Sequence, residues 1–124
     1  MNKQTLSITI PTYNRPEILE KTILSFIDES LLYDINVYIS DDSTNNLTEN
    51  LILKLQKTYP KFKIHYHKNP INLGHDKNCI KALSLSSQDY IWYLGDSCSI
   101  NRGGTKNFGN NQYQFSRFYQ LYFI

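Results

Sequence analysis

Apolar and polar positions alternate along Leu6-Ser-Ile-Thr-Ile10 and predict a first strand. Pro11 cannot donate to a sheet ladder and is expected to close it. Thr12 to Pro16 reads as a loop, and Pro16 with Glu17 suits the first turn of a helix. Ile18, Leu19, Thr22, Ile23, Phe26 and Ile27 recur at helical spacing, so one helix is expected to run to near Ser30. Ile35 to Ser40 is the second strand, with β-branched Val37 and Ile39 around aromatic Tyr38. It runs into the turn residues Asp41, Asp42, Ser43 and Thr44. Leu47, Leu51, Ile52 and Leu55 predict a second helix from Leu47 to Tyr59, stopped by Pro60. Phe62-Lys-Ile-His-Tyr66 alternates as a third strand, and Asn69 to Gly74 is a turn-rich loop. Helical spacing resumes at Asp76 and passes through Cys79, Ile80 and Leu83 to about Ser86. Asp89 to Leu94 is a fourth strand, holding Tyr90, Ile91, Trp92 and Tyr93, and it stops at Gly95-Asp96-Ser97.

Strands alternating with helices define an α/β fold, with a mostly parallel sheet flanked by helices on both faces. Residues 1–100 form this unit. Residues 101–124 are expected to be an irregular tail, rich in Asn, Gln, Gly and aromatics with no clear period. Reading the stretch from Gly104 one base forward, with adenine- and thymine-rich codons, gives a helix-like and then a strand-like segment. A frameshifted tail and a truncated domain are therefore expected over a native tail.

Composition narrows the function. The chain has 124 residues, enough for one domain, and a net charge of +2 that gives no strong field for nucleic acid. Basic residues are scattered, so no nucleic-acid module is expected. Cys79 and Cys98 lack metal-ligand spacing and read as reduced thiols. No run approaches the roughly 20 apolar residues of a membrane helix. A cytoplasmic protein is expected, with room for peripheral contact at the inner membrane face.

The chemistry-bearing residues fall at strand ends. In open α/β sheets, ligands sit outside the carboxyl ends of the strands. Pro11, Thr12 and Tyr13 follow the first strand, Asp41 and Asp42 the second, and Asp96 and Ser97 the fourth. A carboxylate there accepts from a base N–H or a sugar hydroxyl, and a tyrosine face can stack a ring. Asp96 with Ser97 offers hard oxygens to a divalent cation shared with phosphates. His65 and His67 share one side of a strand but lack a third ligand, and read as a polar sheet face.

Ser7-Ile-Thr-Ile-Pro-Thr-Tyr-Asn-Arg15, Ile39-Ser-Asp-Asp-Ser43, Asn72-Leu-Gly-His-Asp-Lys-Asn78 and Tyr90-Ile-Trp-Tyr-Leu-Gly-Asp-Ser97 occur in this order and spacing. Together these segments resemble the family-2 glycosyltransferases with the GT-A fold, from Leu6 to about Ile100. The resemblance implies a Rossmann-like donor-binding half that takes a nucleotide-diphosphate sugar and serves transfer to a glycan or lipid-linked acceptor in surface polysaccharide synthesis. It implies that Pro11, Thr12 and Tyr13 line the nucleotide pocket. Asp42 would bind the base, with Asp41 shaping the turn. Lys77 would stand near the donor, where the family usually has arginine. Asp96 and Ser97 would hold Mg²⁺ or Mn²⁺. Ser97 stands at the family's usual acidic ligand position, and a hydroxyl binds a cation far more weakly than a carboxylate. No residue matches the family's catalytic base.

Two function classes follow: a nucleotide-sugar glycosyltransferase, and a non-catalytic remnant that at most binds nucleotide. A dinucleotide-binding oxidoreductase needs a Gly-rich turn after the first strand, where this chain has Pro-Thr-Tyr-Asn-Arg-Pro.

Overall fold

A computed structural model describes residues 5–98 and the backbone of residues 120–123. The elements, in order, are β1 (Leu6–Thr12), α1 (Pro16–Leu24), α2 (Ile27–Leu32), β2 (Asn36–Asp41), α3 (Leu47–Thr58), β3 (Ile64–Lys68), α4 (His75–Ser84), β4 (Tyr90–Tyr93) and β5 (Gln120–Phe123). They build one sheet in the order β3-β2-β1-β4-β5. β1 pairs parallel with β2 and β4, and β2 pairs parallel with β3. β5 pairs antiparallel with β4, Tyr93 opposite Gln120. Four residues of the tail expected to be irregular thus join the sheet. Residues 99–119, where the expected frame shift would fall, lie outside the described residues.

The register separates the two faces of the sheet. Ile8 pairs with Val37 and Trp92, Ile10 with Ile39, and Val37 with Ile64. Parallel partners point to the same face, so these residues make one apolar layer. Leu19, Ile23, Phe26 and Ile27 from α1 and α2, and Leu51, Ile52 and Leu55 from α3, bury themselves in the same cluster. The opposite face carries Ser7, Thr9 and Ser40 and is covered by α4. His65 belongs to this polar set. Its ring stacks on Tyr38 at 4.5 Å and its Nε2 lies 2.9 Å from Asn36 Oδ1.

Several boundaries differ from the sequence expectation. Pro11 does not end β1, which continues to Thr12. In a parallel strand, alternate residues bond to alternate neighbours. Thr9 O accepts from Leu94 N on the β4 side, so Pro11's missing N–H faces that side too, beyond the last paired residue of β4. The single helix expected from Pro16 to Ser30 is two helices. Ser25 Oγ donates to Thr22 O at 2.6 Å, a side-chain bond that competes with helix continuation. Phe26 then adopts φ −128° and keeps its ring buried. β3 begins at Ile64 rather than Phe62, because Phe62 N closes the turn after α3 by donating to Tyr59 O. Ile18 and Leu47, expected on core stripes, are 40% and 57% exposed.

The largest difference is the phase of α4. Cys79, Ile80 and Leu83 were the expected core stripe, yet Ile80 is 67% exposed and the buried residues are Asn78 and Ala82. The helix lies on hydroxyl-bearing strands, so it turns an amide and a small residue inward rather than its largest apolar side chains.

Candidate functional site

The carboxyl ends of β1, β2 and β4 open into a cleft of about 860 Å³. Pro11, Thr12, Tyr13 and Arg15 line it from the first strand and its loop. Asp42 lines it from the second, and Asn72, Gly74, His75 and Asn78 from the α4 side. Tyr93, Asp96 and Ser97 line it from the fourth strand end. Tyr13 is 50% exposed, which leaves a ring face open to the cleft.

The Asp42 corner is built on main-chain donors. The Asp42 side chain is almost fully buried. Its Oδ1 accepts from Leu73 N and Asn69 Nδ2, each at 2.8 Å, and its Oδ2 accepts from Gly74 N at 3.0 Å. Asn72 Nδ2 donates to the Asp42 carbonyl at 3.0 Å. Gly74 sits at φ +87°, a backbone state that side chains resist, so its N–H can turn back to the carboxylate. A carboxylate offers about four lone-pair positions, so Oδ2 retains one for a further donor.

Asn78 ties this corner to the sheet. Its Nδ2 donates to Thr12 O at 3.3 Å and Ser40 O at 3.1 Å. Its Oδ1 accepts from Ser40 Oγ at 2.7 Å and Asn69 Nδ2 at 2.9 Å. One amide thereby satisfies carbonyls at the ends of β1 and β2 and fixes α4 against them. On the other side, Asn14, at φ +51°, donates its N–H to Ser43 Oγ at 2.8 Å. Its Oδ1 accepts from Thr44 N at 3.0 Å, so the loops after β1 and β2 are tied to each other.

The Asp96 corner is built on side-chain donors. Asp96 is also almost fully buried. Its carboxylate accepts from Thr12 Oγ1 at 3.0 Å and Arg15 Nε at 3.1 Å, and Arg15 Nη2 closes a two-point ion pair. Thr22 Oγ1 donates to the Asp96 carbonyl at 2.5 Å. Ser97 is exposed at the rim.

The sequence-expected residues divide accordingly. Pro11, Thr12, Tyr13, Asp42, Asp96 and Ser97 come together in the cleft. Asp41 is fully buried beneath it. Its Oδ1 accepts from Ser43 N at 2.9 Å and its Oδ2 from Tyr66 Oη at 2.5 Å. Burial, and then the bond to Asp41, push the Tyr66 phenol pKa well above its ordinary value. Lys77 is exposed on α4 and is not among the residues lining the cleft. Arg15, Asn69 and Asn78 are site-building residues that the sequence reading gave no role. Arg15 and Asn78 stood inside the quoted segments, but nothing in a linear pattern shows that one meets Asp96 and the other bridges two strands.

The residues present do not fit a divalent cation as they stand. Mg²⁺ and Mn²⁺ need several hard oxygens. Here both oxygens of the Asp96 carboxylate face a guanidinium, and its neighbour Ser97 offers a hydroxyl. Among the described residues, no three His, Cys, Asp or Glu side chains cluster as a metal group.

The comparisons with known proteins agree with this geometry. The profile of glycosyl transferase family 2 matches residues 7–103, and the chain belongs to that family. It is 40% identical over 96 residues to the abequosyltransferase RfbV of Salmonella typhimurium, covering 77% of this chain and 28% of that protein. It is 29% identical over 98 residues to the GalNAc(5)-diNAcBac-PP-undecaprenol beta-1,3-glucosyltransferase of Campylobacter jejuni, covering 79% of this chain and 31% of that protein. The chain thus spans less than a third of either relative's length. A mannosyltransferase from Pyrobaculum calidifontis, solved with GDP-Man and Mn²⁺, superposes with a TM-score of 0.69 at 16% identity, covering 86% of this chain and 32% of that one. The fold is accordingly the N-terminal, Rossmann-like half of the GT-A architecture. Among the described residues, no helix is long and apolar enough to cross a membrane.

Proposed function

We propose that the cleft binds a nucleotide-diphosphate sugar and that the chain serves transfer of its sugar to a glycan or lipid-linked acceptor in bacterial surface polysaccharide or glycan synthesis. One observation carries this reading. An open tyrosine face and a buried, rigidly held carboxylate with acceptor capacity to spare line a single cleft at the carboxyl ends of parallel strands. The volume lies within the range usual for small-molecule sites.

In this reading, Tyr13 stacks on the base and Asp42 Oδ2 accepts from a base N–H or a ribose hydroxyl. Pro11 and Thr12 form the floor, and Asp41 holds the turn from below through Ser43 N. The diphosphate lies toward Asp96. Lys77 faces the donor from outside the cleft lining, a role supported by the sequence pattern alone. A Mg²⁺ or Mn²⁺ ion at Asp96 and Ser97 requires Arg15 to leave the carboxylate first. Transfer is direct displacement at the anomeric carbon, with the diphosphate as leaving group and inversion expected. The name of the Campylobacter relative supports a lipid-linked acceptor, and in this reading the chain works at the cytoplasmic face of the membrane.

A second reading, nucleotide binding without transfer, is favoured by a separate observation. Among the described residues, both carboxylates lining the cleft, Asp42 and Asp96, are already engaged, which leaves no free acid in that lining to act as base. Purified chain incubated with a panel of nucleotide sugars and lipid-linked acceptors separates the two. Release of nucleoside diphosphate coupled to acceptor elongation supports transfer. Saturable nucleotide binding with no turnover supports the second reading, and no binding of any nucleotide overturns both.

A further inference from the structure

We infer that Arg15 fills the cationic role at the diphosphate position, so that the cleft binds a nucleoside diphosphate without a divalent ion. The inference rests on the nucleotide-sugar reading of the cleft and specifies its chemistry.

The argument starts from the carboxylate. Asp96 is buried and would be costly to leave as a lone charge. The chain satisfies it with the Arg15 fork and the Thr12 hydroxyl. A cation seated there must displace that fork, and it gains in exchange one carboxylate and one exposed hydroxyl, a poor set for a hard ion. Arg15 itself is half exposed and lines the cleft. Its two bonds to Asp96 use two of the five N–H donors of a guanidinium. The remaining donors are not used by Asp96 and belong to a side chain that lines the same cleft as Ser97. A planar, permanently charged fork with donors to spare is the side chain best matched to phosphate oxygens. The Asp96 pair, on this view, aims Arg15 rather than consuming it.

The test is calorimetric titration of the whole 124-residue chain with UDP, GDP, CDP, dTDP and ADP, once in excess EDTA and once in Mn²⁺. The nucleoside of whichever diphosphate binds best is titrated beside it. The expected result is binding in EDTA, with affinity within about threefold of that in Mn²⁺, far less than the roughly tenfold or greater gain expected from a charge-assisted cation contact. Arg15→Lys keeps a positive partner for Asp96 but loses the fork. It should weaken the diphosphate about tenfold while leaving the free nucleoside unchanged. The double variant Arg15→Gln/Asp96→Asn leaves no buried charge unpaired, and its thermal melt reports that the fold is intact. It should show the same selective loss. Binding that appears only with Mn²⁺, or diphosphate affinity unmoved in both variants, overturns the inference and leaves the nucleotide reading standing. Absence of binding by every diphosphate in both media overturns the nucleotide reading, and this inference with it.

Discussion

Asp42 and Asp96 stand at the ends of the two strands that flank β1, and both are almost wholly buried. They are held in opposite ways. Asp42 is gripped by the backbone of Leu73 and Gly74, which cannot leave without rearranging a loop, and by the Asn69 side-chain amide. Asp96 is gripped by a half-exposed arginine and a hydroxyl, groups that can rotate away. The first carboxylate organises main chain, and the second organises a side chain. A buried acid is therefore a fixed feature or an exchangeable one according to its donors, not its depth.

Substitution should make that difference visible. Asp42→Ala strands two backbone amides and an asparagine. It should cost about 3 kcal/mol in urea denaturation and abolish nucleotide binding, with Asp42→Asn costing roughly half as much. Equal losses for Asp42→Ala and Asp96→Ala would collapse the contrast. The Asp96 pair should be asymmetric. Arg15→Ala leaves a buried carboxylate without its cation and should cost about 2 kcal/mol. Asp96→Asn releases an arginine that water can solvate, and should cost under about 1 kcal/mol. The reverse order would mean that Arg15, not Asp96, is the buried member.

The smallest effect sharpens the picture below the cleft. Tyr66→Phe removes the hydroxyl that donates to Asp41 and should cost about 1 kcal/mol at neutral pH. The folded-state phenol pKa is raised, by burial first and by Asp41 second. Its contribution is complete below the ordinary tyrosine value of about 10. Above that pH the unfolded chain releases the proton while the folded chain retains it, so stability falls. The gap between wild type and Tyr66→Phe should narrow as denaturation is repeated from neutral to alkaline pH. A gap that widens would contradict the assignment.

The strand-turn-helix rhythm was plain in the sequence because β1, β2 and α3 each bury an apolar set of regular period. Strand ends followed from that rhythm, and with them the meeting of Tyr13, Asp42 and Asp96. What stayed hidden depended on what an element faces. The period of α4 was legible but its phase was not, since Asn78 and Ala82 turn inward only because the strand face beneath is polar. Pro11 looked like a terminator because a linear pattern does not show on which side a strand has lost its neighbour. Arg15 stood in a loop already favoured for function, but its specific role was hidden because its partner lies 81 positions away.

The antiparallel pairing of β5 has a consequence for how this architecture can vary. Tyr93 and Gln120 sit opposite each other, so the chain departs from and returns to the sheet at the same edge, beside the cleft. The entropy of closing a loop grows only with the logarithm of its length, about 0.6 kcal/mol per doubling. The sheet is thus nearly indifferent to how many residues lie between those two points. Material can be added or exchanged there, beside the cleft, at little cost to folding.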